Sequence, residues 1–187
     1  MKKNIIQIAL IIVIIVLAYF VYESIMGTVR FDKESARRKE TVIQNLKDIR
    51  TIQASFKSVN NVYSSSFDTL VDFYKNGKIP VVKMEGDIED TTAVIVRDTS
   101  YINVSELLFK NNSDFKIDSL PYIPYSCGKK FILKAGEIEK GNVKVQVFEA
   151  YAKKEYFLKG LDEKLFYRID SLKVGSMTEA SVDGNWE

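Results

Sequence analysis

Four acidic residues fall within six positions at Glu85, Asp87, Glu89 and Asp90. Oxygen ligands at that density suit a hard cation such as Ca2+. Their spacing does not follow an EF-hand loop, and an exposed acidic turn is the plainer reading. The lone cysteine, Cys127, stands in Pro124-Tyr125-Ser126-Cys127-Gly128. A nucleophilic thiol needs a neighbour that raises its thiolate fraction, and only Lys129 and Lys130 are at hand. A small buried or half-buried side chain is expected there instead. One cysteine also excludes an intramolecular disulfide, so packing must hold the fold.

The chain contains no histidine. That removes the commonest general base, the commonest metal ligand and the usual partner of a nucleophilic serine or cysteine. Ser–Lys chemistry stays formally open, with no Ser-x-x-Lys match next to a nucleophile turn. The nine glycines are scattered singly, so no glycine-rich loop is present to cradle a phosphate. No catalytic, cofactor-binding or metal-ligating set is assigned, no cofactor is expected, and the expectation is a non-enzymatic protein.

Charge narrows the partners further. The net charge is +2, and before residue 30 only Lys2, Lys3 and Glu23 are charged. The remainder is near neutral and has no strong electrostatic drive toward nucleic acid, which is not expected as a partner. The basic run Arg37-Arg38-Lys39 reads as a solvated helix face close to lipid headgroups. Anionic lipid there would add about 1 kcal/mol of attraction per basic residue. Aromatics gather late in the chain at Tyr122, Tyr125, Tyr151, Tyr156 and Phe157, with Phe166 and Tyr167 beyond. They are either plain core or, because tyrosine is enriched at interfaces, a candidate contact surface for other proteins.

The elements that position these groups begin with an apolar run. No residue from Asn4 to Tyr22 is charged. Ile5, Ile8, Leu10, Ile11, Ile12, Val13, Ile14, Ile15, Val16 and Leu17 make the run apolar enough to lie in lipid, and about 20 residues at 1.5 Å each span a hydrocarbon core. Backbone amides in lipid must be satisfied within the segment, so the run must be helical. Tyr19, Phe20 and Tyr22 sit where aromatic rings favour the interface. Residues 1–29 therefore read as a transmembrane anchor. The alternative is a cleaved signal peptide with Val16-Leu17-Ala18 as its cleavage triplet; the apolar run continuing through Phe20, Val21 and Tyr22 argues against it.

A literal count of basic residues, Lys2 and Lys3 against Arg30, Lys33, Arg37, Arg38 and Lys39, would put the large domain in the cytoplasm. Asp32, Glu34 and Glu40 interrupt that basic stretch, and a short Lys-Lys head before an apolar run is the pattern of a signal-anchor. The expected arrangement is a single pass through the cytoplasmic membrane with the domain on its periplasmic or extracytoplasmic side.

Residues 30–187 read as one α+β domain opening on a stalk helix over 30–59. Val42, Leu46, Ile49, Ile52 and Phe56 recur at three- and four-residue spacing, which marks one apolar face. Lys39, Glu40, Gln44, Asn45, Lys47, Asp48 and Arg50 make the other face polar. Gly27 is the natural hinge between anchor and stalk. Ser65 or Ser66 is placed to cap a second helix over 67–76, with Phe67, Leu70, Val71 and Tyr74 on one side and Gly77 as its stop. Strands are expected at Val81–Met84, Thr92–Arg97, Phe131–Ala135 and Val143–Phe148. The last two should form a hairpin through Gly136–Gly141. Val104–Phe109 fits a strand or a short helix, and residues 111–126 a loop with a short strand. Leu161, Leu165, Ile169 and Leu172 have helical spacing over 160–172, with Asp162 near the cap. The ending Gly184-Asn185-Trp186-Glu187 reads as a packed plug.

This layout resembles type IV pilins and the pseudopilins of type II secretion. The resemblance is carried by Val42-Ile-Gln-Asn-Leu-Lys-Asp-Ile-Arg-Thr-Ile-Gln-Ala-Ser-Phe56, by Val62-Tyr63-Ser64 and by Phe67-Asp68-Thr-Leu70, the stretch where a pseudopilin stalk leads into its first loop. The prepilin peptidase glycine and the glutamate early in the mature pilin have no counterpart, since the first Glu and Gly are Glu23 and Gly27. A second likeness is to single-pass envelope proteins of Bacteroidota, through Val147-Phe148-Glu149-Ala150 and the run from Val174-Gly175-Ser176-Met177 to the Gly-Asn-Trp-Glu ending. It implies no activity. Together these imply a membrane-anchored subunit or scaffold of a cell-envelope assembly, with the lipid bilayer and other envelope proteins as partners. The alternative is a tethered domain that binds a small ligand, peptide or glycan.

Overall fold

With no proline before Pro80 to interrupt it, the first part of the chain forms one unbroken α-helix, α1 (Lys2–Asn60). The computed structural model describes residues 2–85, 96–110 and 115–187. Gly27 lies inside α1 with helix on both sides, so the expected hinge is not a break in the rod. Asn61 ends it with a positive φ of 60°, its N–H reaching back to the Lys57 carbonyl at 2.8 Å.

The second half of α1 is amphipathic, and its apolar face is the spine of the core. Val42, Leu46, Ile49 and Ile52 are fully buried, each worth about 1.5–3 kcal/mol relative to exposure. Phe56 is half-buried and meets Phe73 edge to face at 5.2 Å. The division into apolar and polar faces is imperfect, because Asp48 and Gln53 are also buried. α2 (Phe67–Asn76) packs Phe67, Leu70 and Phe73 inward, while Val71 and Tyr74 are only half-buried. Ser66 holds the cap position without a side-chain bond, and the Ser64 hydroxyl instead accepts from the Ser66 N–H at 3.1 Å. Gly77 ends α2 in extended backbone, at φ −72°, rather than in the left-handed form.

Two small antiparallel sheets complete the fold. β1 (Lys78–Glu85) and β2 (Val96–Asn103) form a two-stranded ribbon, with Lys78 opposite Asn103 and Glu85 opposite Val96. Pro80 is tolerated because each strand of such a ribbon has an open edge. β2 runs beyond the expected strand at Arg97, and Thr92–Ile95 lie outside the described residues, as do Asp87, Glu89 and Asp90. Val104–Leu107 resolves as a short helix, α3. The loop after it contains a 3-10 turn (Ile117–Ser119) and a single bridge between Tyr122 and Lys130.

The second sheet has the order β3-β4-β5, from β3 (Ile132–Lys140), β4 (Val143–Ala152) and β5 (Leu172–Gly175). The β3–β4 hairpin turns at Gly141-Asn142, not over Gly136–Gly141. Both turn residues have positive φ, 57° and 66°, as a two-residue turn matched to strand twist requires. Gly136 stays in the strand, and Met177 lies close over its Cα. From Phe148 onward β4 alternates cleanly, with Phe148, Ala150 and Ala152 buried. The expected helix over 160–172 is instead a 3-10 turn (Glu163–Arg168), capped by Asp162 accepting from the Lys164 N–H at 3.0 Å. Leu172 belongs to β5. A short helix α4 (Lys154–Phe157) precedes that turn. Trp186 packs against the core, and Gly184 bridges Val174.

Candidate functional site

α1 divides at Phe31. On the chain's N-terminal side, Ile8, Leu10, Ile11, Ile12, Val13, Ile14, Ile15, Val16, Leu17, Tyr19, Phe20 and Tyr22 are all exposed and touch nothing in the head. The side chain of Ile5 is outside the described residues. This helix is long and apolar enough to cross a membrane. At Phe31, 4% exposed, α1 enters the head, and Ser35, Val42, Leu46, Ile49 and Ile52 continue the buried stripe.

Three contacts fix the junction. The Phe31 and Phe166 rings lie 6.5 Å apart, Arg168 pairs with Asp32 at 3.3 Å, and Arg38 Nη1 donates to the carbonyls of Phe157 at 3.2 Å and Lys159 at 2.9 Å. Glu34 accepts from Arg37 at 2.8 Å and Arg38 at 2.9 Å. These two hydrogen bonds hold its carboxyl below the usual range, and the Glu34 carboxylate in turn raises Arg37. Arg37 is exposed, but Arg38 and Glu34 are partly covered, and their pair holds the Arg38 guanidinium beside α4.

The five candidate interface aromatics separate. Phe157 is fully buried and belongs to the core, because α4 turns it inward under the Arg38 contacts. Tyr151 and Tyr156 are half-buried, with Lys153 Nζ 5.9 Å from the Tyr156 ring. Tyr122 and Tyr125 are exposed on one loop. Tyr125 has a φ of 63° and lies against the basic face of α1, 5.0 Å from the Arg38 guanidinium and 5.9 Å from that of Arg37. Its hydroxyl is 3.4 Å from Thr41 Oγ1. The run Arg37-Arg38-Lys39 is therefore partly occupied by intramolecular contacts rather than simply solvated.

Cys127 is exposed, not buried, and sits in the turn with a φ of 55°. Ser126 and Lys129 do stand at Ser-x-x-Lys spacing, within this turn. Ser126 Oγ is buried, donates to the Ile123 carbonyl at 2.6 Å and accepts from the Lys129 N–H at 3.0 Å. The hydroxyl thus closes the turn and is not presented as a nucleophile. Among the described residues, no group of three Cys, Asp or Glu side chains converges to hold a metal.

A shallow cleft of about 150 Å³ lies between α1 and the Ile117–Ser119 turn, lined by Gln44, Asn45, Asp48, Phe115, Ser119 and Leu120. Gln44 Nε2 donates to Asp48 Oδ1 at 3.0 Å. Burial raises the Asp48 carboxyl above its ordinary value, and the Gln44 bond only partly offsets this. Among the described residues, the polar side chain most completely enclosed is Gln53, whose amide donates to the Ser64 carbonyl at 2.6 Å and accepts from the Ser64 N–H at 3.0 Å. Nothing in the local pattern marks it, because its partner lies beyond the end of the helix. No protein-family model matches the chain, and no curated protein or solved structure is significantly similar to it.

Proposed function

We propose that the chain is a non-enzymatic, membrane-anchored subunit or scaffold of a cell-envelope assembly, pilin-like in plan. Its apolar helix would cross the cytoplasmic membrane and its α+β head would stand on the outer side. The observation that carries this reading is α1 itself. One unbroken helix has a first half with exposed apolar side chains and a second half whose apolar face is the spine of the head. Such a rod holds the head at a set position relative to the lipid. Fixed placement serves a protein that contacts neighbours in an assembly more than one that acts on freely diffusing substrate. Tyr122 and Tyr125, exposed together on the Pro121–Gly128 loop, supply a surface of the composition found at protein contacts.

Purification of the tagged full-length chain from carbonate-washed membranes in mild detergent tests this. Recovery in a stable complex with other envelope proteins is expected. A lone monomer would refute the subunit reading, and a soluble mature chain beginning near Tyr19 would refute the anchor. A reporter fused after Glu187 reads the side of the membrane directly.

A further inference from the structure

The apolar surface of α1 does not stop at Tyr22. Ile25 and Val29 are 59% and 51% exposed, and the single charge between Tyr22 and Val29, Glu23, is paired with Arg30 at 2.5 Å. Apolar surface therefore continues to within two residues of Phe31, where the head begins. At 1.5 Å per residue that leaves about 3 Å between the end of the apolar band and the base of the head. A hydrocarbon core of about 30 Å with about 5–7 Å of headgroups on each side would enclose most of the band. The base of the head then has no room to stand clear of the lipid.

The base is formed by the turn Glu163–Arg168, tied to this level by the Phe31–Phe166 and Asp32–Arg168 contacts. On that turn Tyr167 is 77% exposed, more than any other large apolar or aromatic side chain among the described residues. A tyrosine has an apolar ring and a polar tip, the combination that partitions into the headgroup layer. Lys33, next to Asp32 on α1, and Lys164, on the turn itself, are both exposed and can meet lipid phosphate.

Resting on the reading of α1 as a membrane anchor, we propose that the head docks on the bilayer surface, with the Glu163–Arg168 turn seated among the headgroups and Tyr167 as its aromatic anchor. The head is then a body resting on the membrane, not a knob held above it on a stalk.

Shallow quenching tests the proposal. The full-length chain is reconstituted in phosphatidylcholine vesicles containing lipid brominated on acyl carbons close to the headgroup. Tyr167→Trp and Tyr22→Trp are each compared with the unaltered chain. Its own Trp186 lies near Arg50, whose guanidinium meets Glu187 at 2.9 Å, about 40 Å further along α1 than Tyr22. Tryptophan at 167 should lose much of its emission, as tryptophan at 22 does, while Trp186 keeps its own. Quenching at 22 without quenching at 167 overturns the docked head and leaves the anchor standing. Absence of quenching at both positions overturns the anchor and the docking with it.

Discussion

Replacing Gln53 by leucine should destabilise the head severely, although the substitution exchanges a polar side chain for an apolar one of similar size in a buried site. Gln53 satisfies both backbone groups of Ser64, and Ser64 is itself 6% exposed. Leucine strands a buried N–H and a buried carbonyl, each costing about 1–3 kcal/mol. The expected loss is about 3 kcal/mol. Alanine adds an unfilled volume and about 2–5 kcal/mol more. Urea unfolding in mild detergent can be followed through Trp186, the only tryptophan, which packs against the core. With a slope of about 2 kcal/mol per molar, the Gln53→Leu midpoint should fall by about 1.5 M. Gln53→Glu discriminates further. Its carboxylate can accept from the Ser64 N–H but gives no donor to the Ser64 carbonyl, and protonation restores that donor, so its deficit should narrow in acid. A Gln53→Leu midpoint no lower than that of exposed Thr51→Ala on the same helix would refute the reasoning.

Two further outcomes are expected. The Asp48 carboxyl is raised by burial, so the native state holds its proton more firmly than the unfolded chain does. Stability is then unaffected by this group at pH values below its unfolded pKa and falls as pH rises through the native one. Asp48→Asn keeps an acceptor for Gln44 and should raise Tm at neutral pH, with the gain vanishing in acid; an equal gain at both pH values would show that charge is not the cause. Gly175 has a φ of 74° against the Phe148 backbone, and a Cβ there would overlap the Phe148 carbonyl. Gly175→Ala should cost about 2 kcal/mol or more, read as a lower Tm, and an unchanged Tm would mean that β5 can shift away from β4.

Where the sequence was legible, the determining contacts were local. The face Val42, Leu46, Ile49 and Ile52 and the bounds of α2 follow from periodicity within a few turns of helix. The mixed α+β plan, with one long apolar helix at the N-terminal end, follows from hydropathy and strand-forming runs. The failures were nonlocal. Leu161, Leu165, Ile169 and Leu172 are spaced as in a helix, but the open edge of β4 draws Leu172 into a strand. Gly160, at φ 83°, and the Asp162 cap leave room only for a 3-10 turn. Gly136 resembled a turn residue until the strand pairing placed it opposite Val147. Phe157 and Tyr167 are both aromatics in polar surroundings, and only the packing of α4 and the following turn against α1 separates the buried ring from the exposed one. Gln53 was hidden in the same way, since a glutamine on a helix is unremarkable until the chain beyond Asn60 folds back onto it.

The unbroken passage of α1 through Gly27 makes the stretch between Tyr22 and Phe31 act like a screw thread. Each residue sets both elevation and compass heading, about 1.5 Å and about 100°. One inserted residue would swing Tyr122 and Tyr125 to a different heading while scarcely lifting them. Seven inserted residues would lift them about 10 Å and return them to nearly the original heading. Length and direction are therefore separable by counting residues, and a neighbour that engages the Pro121–Gly128 loop should tolerate one kind of insertion and not the other.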